Sequence, residues 1–157
     1  MTGKLTIIVE PGKQQVVMTR LFDVSRERLF KGFTDPLLVA RWWGPAKYTT
    51  TIDKMNAIPG GVWRFVQRDA QGHEFAFHGV YHEVTSPRRL VDTFEFEGTP
   101  GHVSLETTTF EEQGGKTLLT QHLIFESVED RDAMVQSGME SGATESLERL
   151  ATLMASG

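Results

Sequence analysis

Histidine carries the widest chemistry in this chain, and there are five: His73, His78, His82, His102 and His122. His78 and His82 are the close pair. On a helix that spacing would aim both imidazoles at one metal, but the surrounding run "HEFAFHGVYHEV" alternates like a strand. Residues four apart on a strand share a face yet sit ~13 Å apart at ~3.3 Å per residue, too far for one mononuclear centre. No metal site is therefore expected. His122 lies mid-strand in "LLTQHLIF" and is read as an interior or pocket histidine, with acid or base as its sharper role. Cysteine is absent, which removes disulfides, thiolate metal sites and cysteine nucleophiles. The acidic pair Glu111-Glu112 adjoins a Gly-Gly turn and reads as solvated, while Glu129, Asp130 and Asp132 suit a helix N-terminus through its dipole. No Ser-His-Asp order, phosphate-binding loop or dinucleotide fingerprint occurs, and Gly60-Gly61 and Gly114-Gly115 read as turn glycines. No cofactor is implied.

A second group of residues has the chemistry of an apolar ligand site. Trp63 and Phe65 share one strand face, Phe75, Phe77 and Tyr81 another, and Phe94 and Phe96 a third. Such faces line small-molecule cavities and also ordinary cores. Gly138 and Gly142, one helical turn apart in an otherwise amphipathic stretch, either leave a gap for a ligand or admit a bulky aromatic. Glycine inside a helix costs ~1 kcal/mol relative to alanine, so the pair needs one of these reasons. "RWWGP" at 41–45 places two of the three tryptophans side by side. Neighbouring helix residues point ~100° apart, so one ring of Trp42 and Trp43 is expected to anchor a short helix in the core and the other to reach a cavity rim.

These residues need elements to position them. "LTIIV", "EPGKQ" and "QVVMTRLFDV" read as strand, turn and strand. Ser25 can cap a helix over "SRERLFKGF", with Leu29, Phe30 and Phe33 on one face. Pro36 suits the first position of a second short helix, "PLLVARWW", which Gly44-Pro45 ends. About six strand-like runs follow, separated by Gly- and Pro-rich turns, as in an antiparallel meander. Ser127 opens a capping signal. From 128 to 154 no proline occurs, and Val135, Met139, Leu147, Leu150 and Met154 fall on one stripe of three- and four-residue spacing, with Gly142, Ala143 and Ser146 filling the same stripe. That predicts one long amphipathic helix of roughly seven turns. A lone long helix buries its stripe by lying across the sheet. The expected architecture is α+β with two layers, a curved antiparallel sheet wrapped around the C-terminal helix, with two short helices after the first strands.

The chain has 157 residues, 39% of them hydrophobic and 24% charged, which fits one soluble domain over 1–157. The net charge is −5, with scattered basic residues, so neither nucleic acid nor an anionic membrane is an expected partner. No apolar run approaches the ~20 residues of a membrane span, and the first residues are too weakly apolar for a signal peptide. A cytoplasmic location is expected. A homodimer is compatible with the sequence.

The segments "TRLFDVSRERLFKGFTDPLLVARWWGP", "PGGVWRF", "FHGVYHEVTSPRRLVDTFEFEG" and "VEDRDAMVQSGMESGATESLERL" resemble the START-like, helix-grip (SRPBCC) superfamily. Within it they are similar to the branch named after the C-terminal domain of the activator of the heat-shock chaperone ATPase. The resemblance runs over about 5–154. It implies a helix-grip fold with a cavity between helix and sheet, used across the superfamily for lipids, polyketides, hormones and other apolar molecules. As a single domain, the chain is expected to lack the separate N-terminal chaperone-binding domain of the eponymous activators. One departure is visible: relatives often carry an acidic residue and an arginine before the Pro-Gly-Gly turn, where this chain has Met55-Asn56-Ala57-Ile58. The expected function is binding of a small apolar or aromatic molecule, lined by Trp42, Trp43, Trp63, Phe65, Phe77, Tyr81, His122, Met139 and Gly142. The alternatives are a cyclase- or hydrolase-like enzyme using His122, His78 or Tyr81 as acid or base, and a co-chaperone-type interaction module.

Overall fold

The turn-punctuated runs pair into one antiparallel sheet, with eight strands among the residues described by this computed structural model, 3–156. Residues 1, 2 and 157 of the expected domain lie outside the described residues. The strands are β1 (Thr6–Ile8), β2 (Gln15–Phe22), β3 (Thr49–Met55), β4 (Val62–Arg68), β5 (Glu74–Thr85), β6 (Arg89–Phe96), β7 (Val103–Gln113) and β8 (Lys116–Ile124), in the spatial order β1-β2-β8-β7-β6-β5-β4-β3. From β3 to β8 the chain is a simple meander of adjacent strands. The connection from β2 to β3, which crosses to the opposite edge of the sheet, contains α1 (Arg26–Thr34) and α2 (Pro36–Trp42), and the meander then returns β8 to lie beside β2.

Both short helices start where capping chemistry places them. The Ser25 hydroxyl accepts from the Arg28 N–H, and Asp35 accepts from the Leu37 N–H just ahead of Pro36. Leu29 and Phe30 are buried, and α1 and α2 pack on the C-terminal helix through a cluster that includes Phe22, Phe110, Leu119, Leu147 and Leu150. The expected helix-grip plan is thus the observed one, with the sheet wrapped around the C-terminal helical segment.

That segment is not one long helix. It divides into α3 (Val128–Gln136) and α4 (Met139–Ala155). Ser127 caps α3 by accepting from the Asp130 N–H. Gly138 then adopts φ 93°, a left-handed conformation that ends α3 and serves as the N-cap of α4. Glycine is the residue that takes this conformation without a Cβ penalty. The period of three and four continues across the break, which is why spacing alone reads as one helix.

Candidate functional site

Between the sheet and α3–α4 lies a cavity of about 420 Å³. Its existence follows from the side chains that face each other. On the helical side the wall carries Ser137, Gly138, Met139, Gly142, Ala143 and Ser146, five of which are small. A Cβ built on Gly142 meets no atom within 4 Å, so this glycine faces open space rather than a close-packed aromatic. Further along α4, Leu147, Leu150, Leu153 and Met154 close the core.

The sheet side supplies aromatics on one flank. Trp63 and Phe65 on β4, Phe77 and Tyr81 on β5 and Phe94 on β6 all line the cavity. Gly79 makes room for Trp63, its partner across β4 and β5. A Cβ there would stand 2.6 Å from the indole Nε1 and 1.8 Å from the Thr93 carbonyl oxygen.

The two adjacent tryptophans divide their roles. Trp42 is 4% exposed, donates from Nε1 to the Gly32 carbonyl at 2.9 Å and packs on Phe33 with centroids 4.9 Å apart. It ties α2 to α1. Trp43, the C-cap of α2, turns toward the sheet, its ring 5.1 Å from Phe65, 5.2 Å from Phe77 and 6.4 Å from Trp63. Both rings touch the cavity. Trp43 belongs to its aromatic wall, and Trp42 reaches it from the core.

Of the nine residues expected at the site, Trp42, Trp43, Trp63, Phe65, Phe77, Tyr81, Met139 and Gly142 line the cavity. His122 does not. It pairs with Val17 and Thr107, one residue out of phase with the inward-facing Leu119, Gln121 and Leu123, and its Nε2 meets Gln15 Oε1 at 2.7 Å. His78 likewise lies on the opposite face, held between Glu95 and Glu97 at 3.2 and 2.9 Å. The proposed histidine acids or bases are therefore away from the cavity. No group of three or more metal-ligating side chains occurs among the described residues.

Sequence reasoning missed the polar part of the wall. Asp92 on β6 and Glu106 on β7 both line the cavity, with Gln67, Ser104, Thr108 and Gln121 around the same space. Tyr81 pairs with Asp92 and Asp92 with Glu106, so three ionisable groups form one cross-strand row on the inner face. Directly opposed residues have Cβ atoms about 4.5–5.5 Å apart. A signal for the pair was present, because Asp92 falls in the apolar phase of Leu90 and Phe94, and Glu106 in the phase of Phe110.

Burial sets the electrostatics of this row. It pushes the Glu106 carboxyl up to about 7. Burial first, and then the neighbouring Glu106 charge, hold the Asp92 carboxyl well above its ordinary range. The Trp63 indole N–H faces Asp92 and opposes that rise, yet completes no hydrogen bond of ordinary geometry. Burial also raises the Tyr81 phenol, helped by the charges of Asp92 and Glu106, so it stays a neutral donor. The outer face behaves in the opposite way: hydrogen bonding from Arg64 lowers the Glu97 carboxyl to about 2, against the effect of burial.

Comparison with known proteins agrees with this architecture. The profile of the family described as Activator of Hsp90 ATPase homolog 1-like protein matches residues 23–155. A crystal structure of a Rhodobacter sphaeroides protein is 24% identical with a TM-score of 0.90, covering 98% of this chain and 100% of that one. A solution structure from Arthrobacter aurescens is 22% identical with a TM-score of 0.89, over 97% and 92% of the two chains. A Silicibacter pomeroyi protein bearing the family's name is 25% identical with a TM-score of 0.75, over 90% and 97%. No curated protein matches the sequence.

Proposed function

We propose that this chain, which belongs to the Activator of Hsp90 ATPase homolog 1-like family, binds a small apolar or aromatic molecule in the cavity between its sheet and α3–α4. The observation that carries the reading is the 420 Å³ space itself, within the range of small-molecule sites. Trp43, Trp63, Phe65 and Phe77 wall it on one side, and Met139 and the bare backbone of Gly142 on the other. No described helix is long and apolar enough to cross a membrane. A cytoplasmic protein taking neither nucleic acid nor membrane as partner, alone or as a homodimer, completes the reading.

Intrinsic tryptophan fluorescence during titration with a panel of acyl and aromatic compounds tests it, because Trp42, Trp43 and Trp63 all line the cavity. Gly142→Leu is the matching variant. It places a side chain in open space and removes a helix-interior glycine that costs ~1 kcal/mol. The variant is expected to fold at least as stably as the parent and to lose at least ~10-fold in affinity, about 1.4 kcal/mol. A silent panel, or undiminished binding by Gly142→Leu, would contradict the reading.

A second reading, a cyclase- or hydrolase-like enzyme, is favoured by one observation, the Tyr81–Asp92–Glu106 row. A carboxyl raised to about 7 is suited to proton transfer near neutral pH. In that reading the acid–base role moves from the histidines to Glu106 or Asp92. The third expectation, a co-chaperone-type module, draws only on the family's name.

A further inference from the structure

We propose, on the basis of the cavity-binding reading above, that the ligand is an organic cation, an aromatic or alicyclic molecule carrying a protonated amine. Its ammonium group sits against Asp92 and Glu106, and its ring lies among Trp43, Trp63 and Phe65.

Charge bookkeeping within the fold leads there. Two carboxylates stand on facing positions of β6 and β7 and both open on the cavity. Neither has an ion pair to a protein cation among the described residues, and no Lys, Arg or His is part of the lining. The cations around the helices are committed elsewhere. Arg20 faces inward from β2 but pairs with Glu148 of α4 at 2.8 Å. Arg131 donates to the Glu10 and Gln15 carbonyls and to Asp132. Arg149 donates to the carbonyls of Gly44 and Arg41.

Two adjacent acids without a counter-charge disfavour their own ionisation, and a cation supplied from outside relieves both at once. An anionic ligand meets the opposite situation. A neutral apolar ligand fits the aromatic flank but leaves the acids unmatched.

Two further features point to the same class. Trp63 is 3% exposed, and its Nε1–H faces the Asp92 carboxyl in this wall without completing a hydrogen bond of ordinary geometry. An ionised Asp92 is the acceptor it faces. The rings of Trp43, Trp63 and Phe65 form a linked cluster with centroids 4.6 to 6.4 Å apart. Aromatic faces attract cations within ~6 Å, most strongly where water is excluded.

Three probes sharing one ring separate the classes: 1-naphthylmethylamine, 1-naphthalenemethanol and 1-naphthoate, measured by isothermal titration calorimetry at about pH 7.5, where the amine is charged. The amine is expected to bind at least ~10-fold more tightly than the alcohol, and the naphthoate most weakly. The Asp92→Asn/Glu106→Gln double variant is expected to lose the preference for the amine over the alcohol. If the double variant does not fold, Glu106→Gln alone reports the same loss.

Amine affinity is also expected to fall toward pH 5, as the carboxylates take up protons. The titratable groups facing the ammonium position are Tyr81 from β5, Asp92 from β6 and Glu106 from β7. The wall residues of β2, β4, β8, α3 and α4 contribute none.

Equal binding of amine and alcohol, or a preference that survives the substitutions, overturns this inference and leaves cavity binding standing. Absence of binding by all three probes overturns the inference, and together with a silent fluorescence panel it overturns the cavity reading as well.

Discussion

Glu106→Gln is expected to raise the thermal midpoint by roughly 6–12 °C at pH 8 and by little at pH 4.5, as read by thermal denaturation. The folded-state value of Glu106, raised from 4.5 to about 7 by burial, means that folding takes up a proton. The stability linked to this group is therefore fully present below about 4.5. It is lost as pH rises through about 7, where the carboxylate is forced to ionise in an enclosed space. At ~1.4 kcal/mol per pKa unit the penalty reaches about 3 kcal/mol, and a chain of this size moves ~2–4 °C per kcal/mol. Glutamine keeps the shape and removes the charge. The same linkage runs in reverse when a cation binds, because ionised Glu106 then gains a partner. An equal shift at both pH values, or destabilisation at pH 8, would contradict this account of the carboxylate row.

Phe110→Ala is expected to cost about 3–5 kcal/mol in urea unfolding. Phe110 is 2% exposed and meets Phe30 and Phe33 edge-to-face, with centroids 5.1 and 5.3 Å apart. It stands where β7 meets α1, and Phe33 in turn packs on Trp42. Removing the ring leaves a hole that the sheet on one side and two helices on the other cannot collapse to fill. The loss also loosens the support that seats the end of α2 against the cavity. A cost below ~1 kcal/mol would mean that α1 and α2 are held mainly by other contacts, such as the Trp42 hydrogen bond to Gly32.

Much of this architecture was legible because local signals agreed with tertiary ones. Ser25, Asp35 with Pro36, and Ser127 start helices where their side chains satisfy orphan N–H groups. Turn glycines and prolines separate strands whose inward residues alternate. "RWWGP" could be read as one anchoring and one cavity-reaching ring because successive helix positions diverge.

Three features escaped for specific reasons. Gly138 breaks the C-terminal helix through its dihedral angle, and a spacing pattern does not report dihedrals. His122 was placed on the wrong face because β8 is apolar in both phases, with Leu118 beside Leu119 and Leu123 beside Ile124. Packing against the helices selects the odd phase and leaves Ile124 exposed. Asp92 and Glu106 were passed over because acids in strands usually face water. The register alone brings them opposite each other.

The most direct measurement of the central claim is a two-dimensional ¹H–¹⁵N spectrum of the indole N–H groups during titration with 1-naphthalenemethanol. Each tryptophan gives one such resonance and has its own environment: Trp42 bonded to the Gly32 carbonyl, Trp63 buried and facing Asp92, and Trp43 in the aromatic wall. Binding between sheet and helix predicts large, saturating shifts for Trp43 and Trp63 and a smaller one for Trp42, with backbone shifts at Met139 and Gly142. Shifts confined to the opposite sheet face around His78, Leu105 and Ile124, or no shift at any indole, would contradict it.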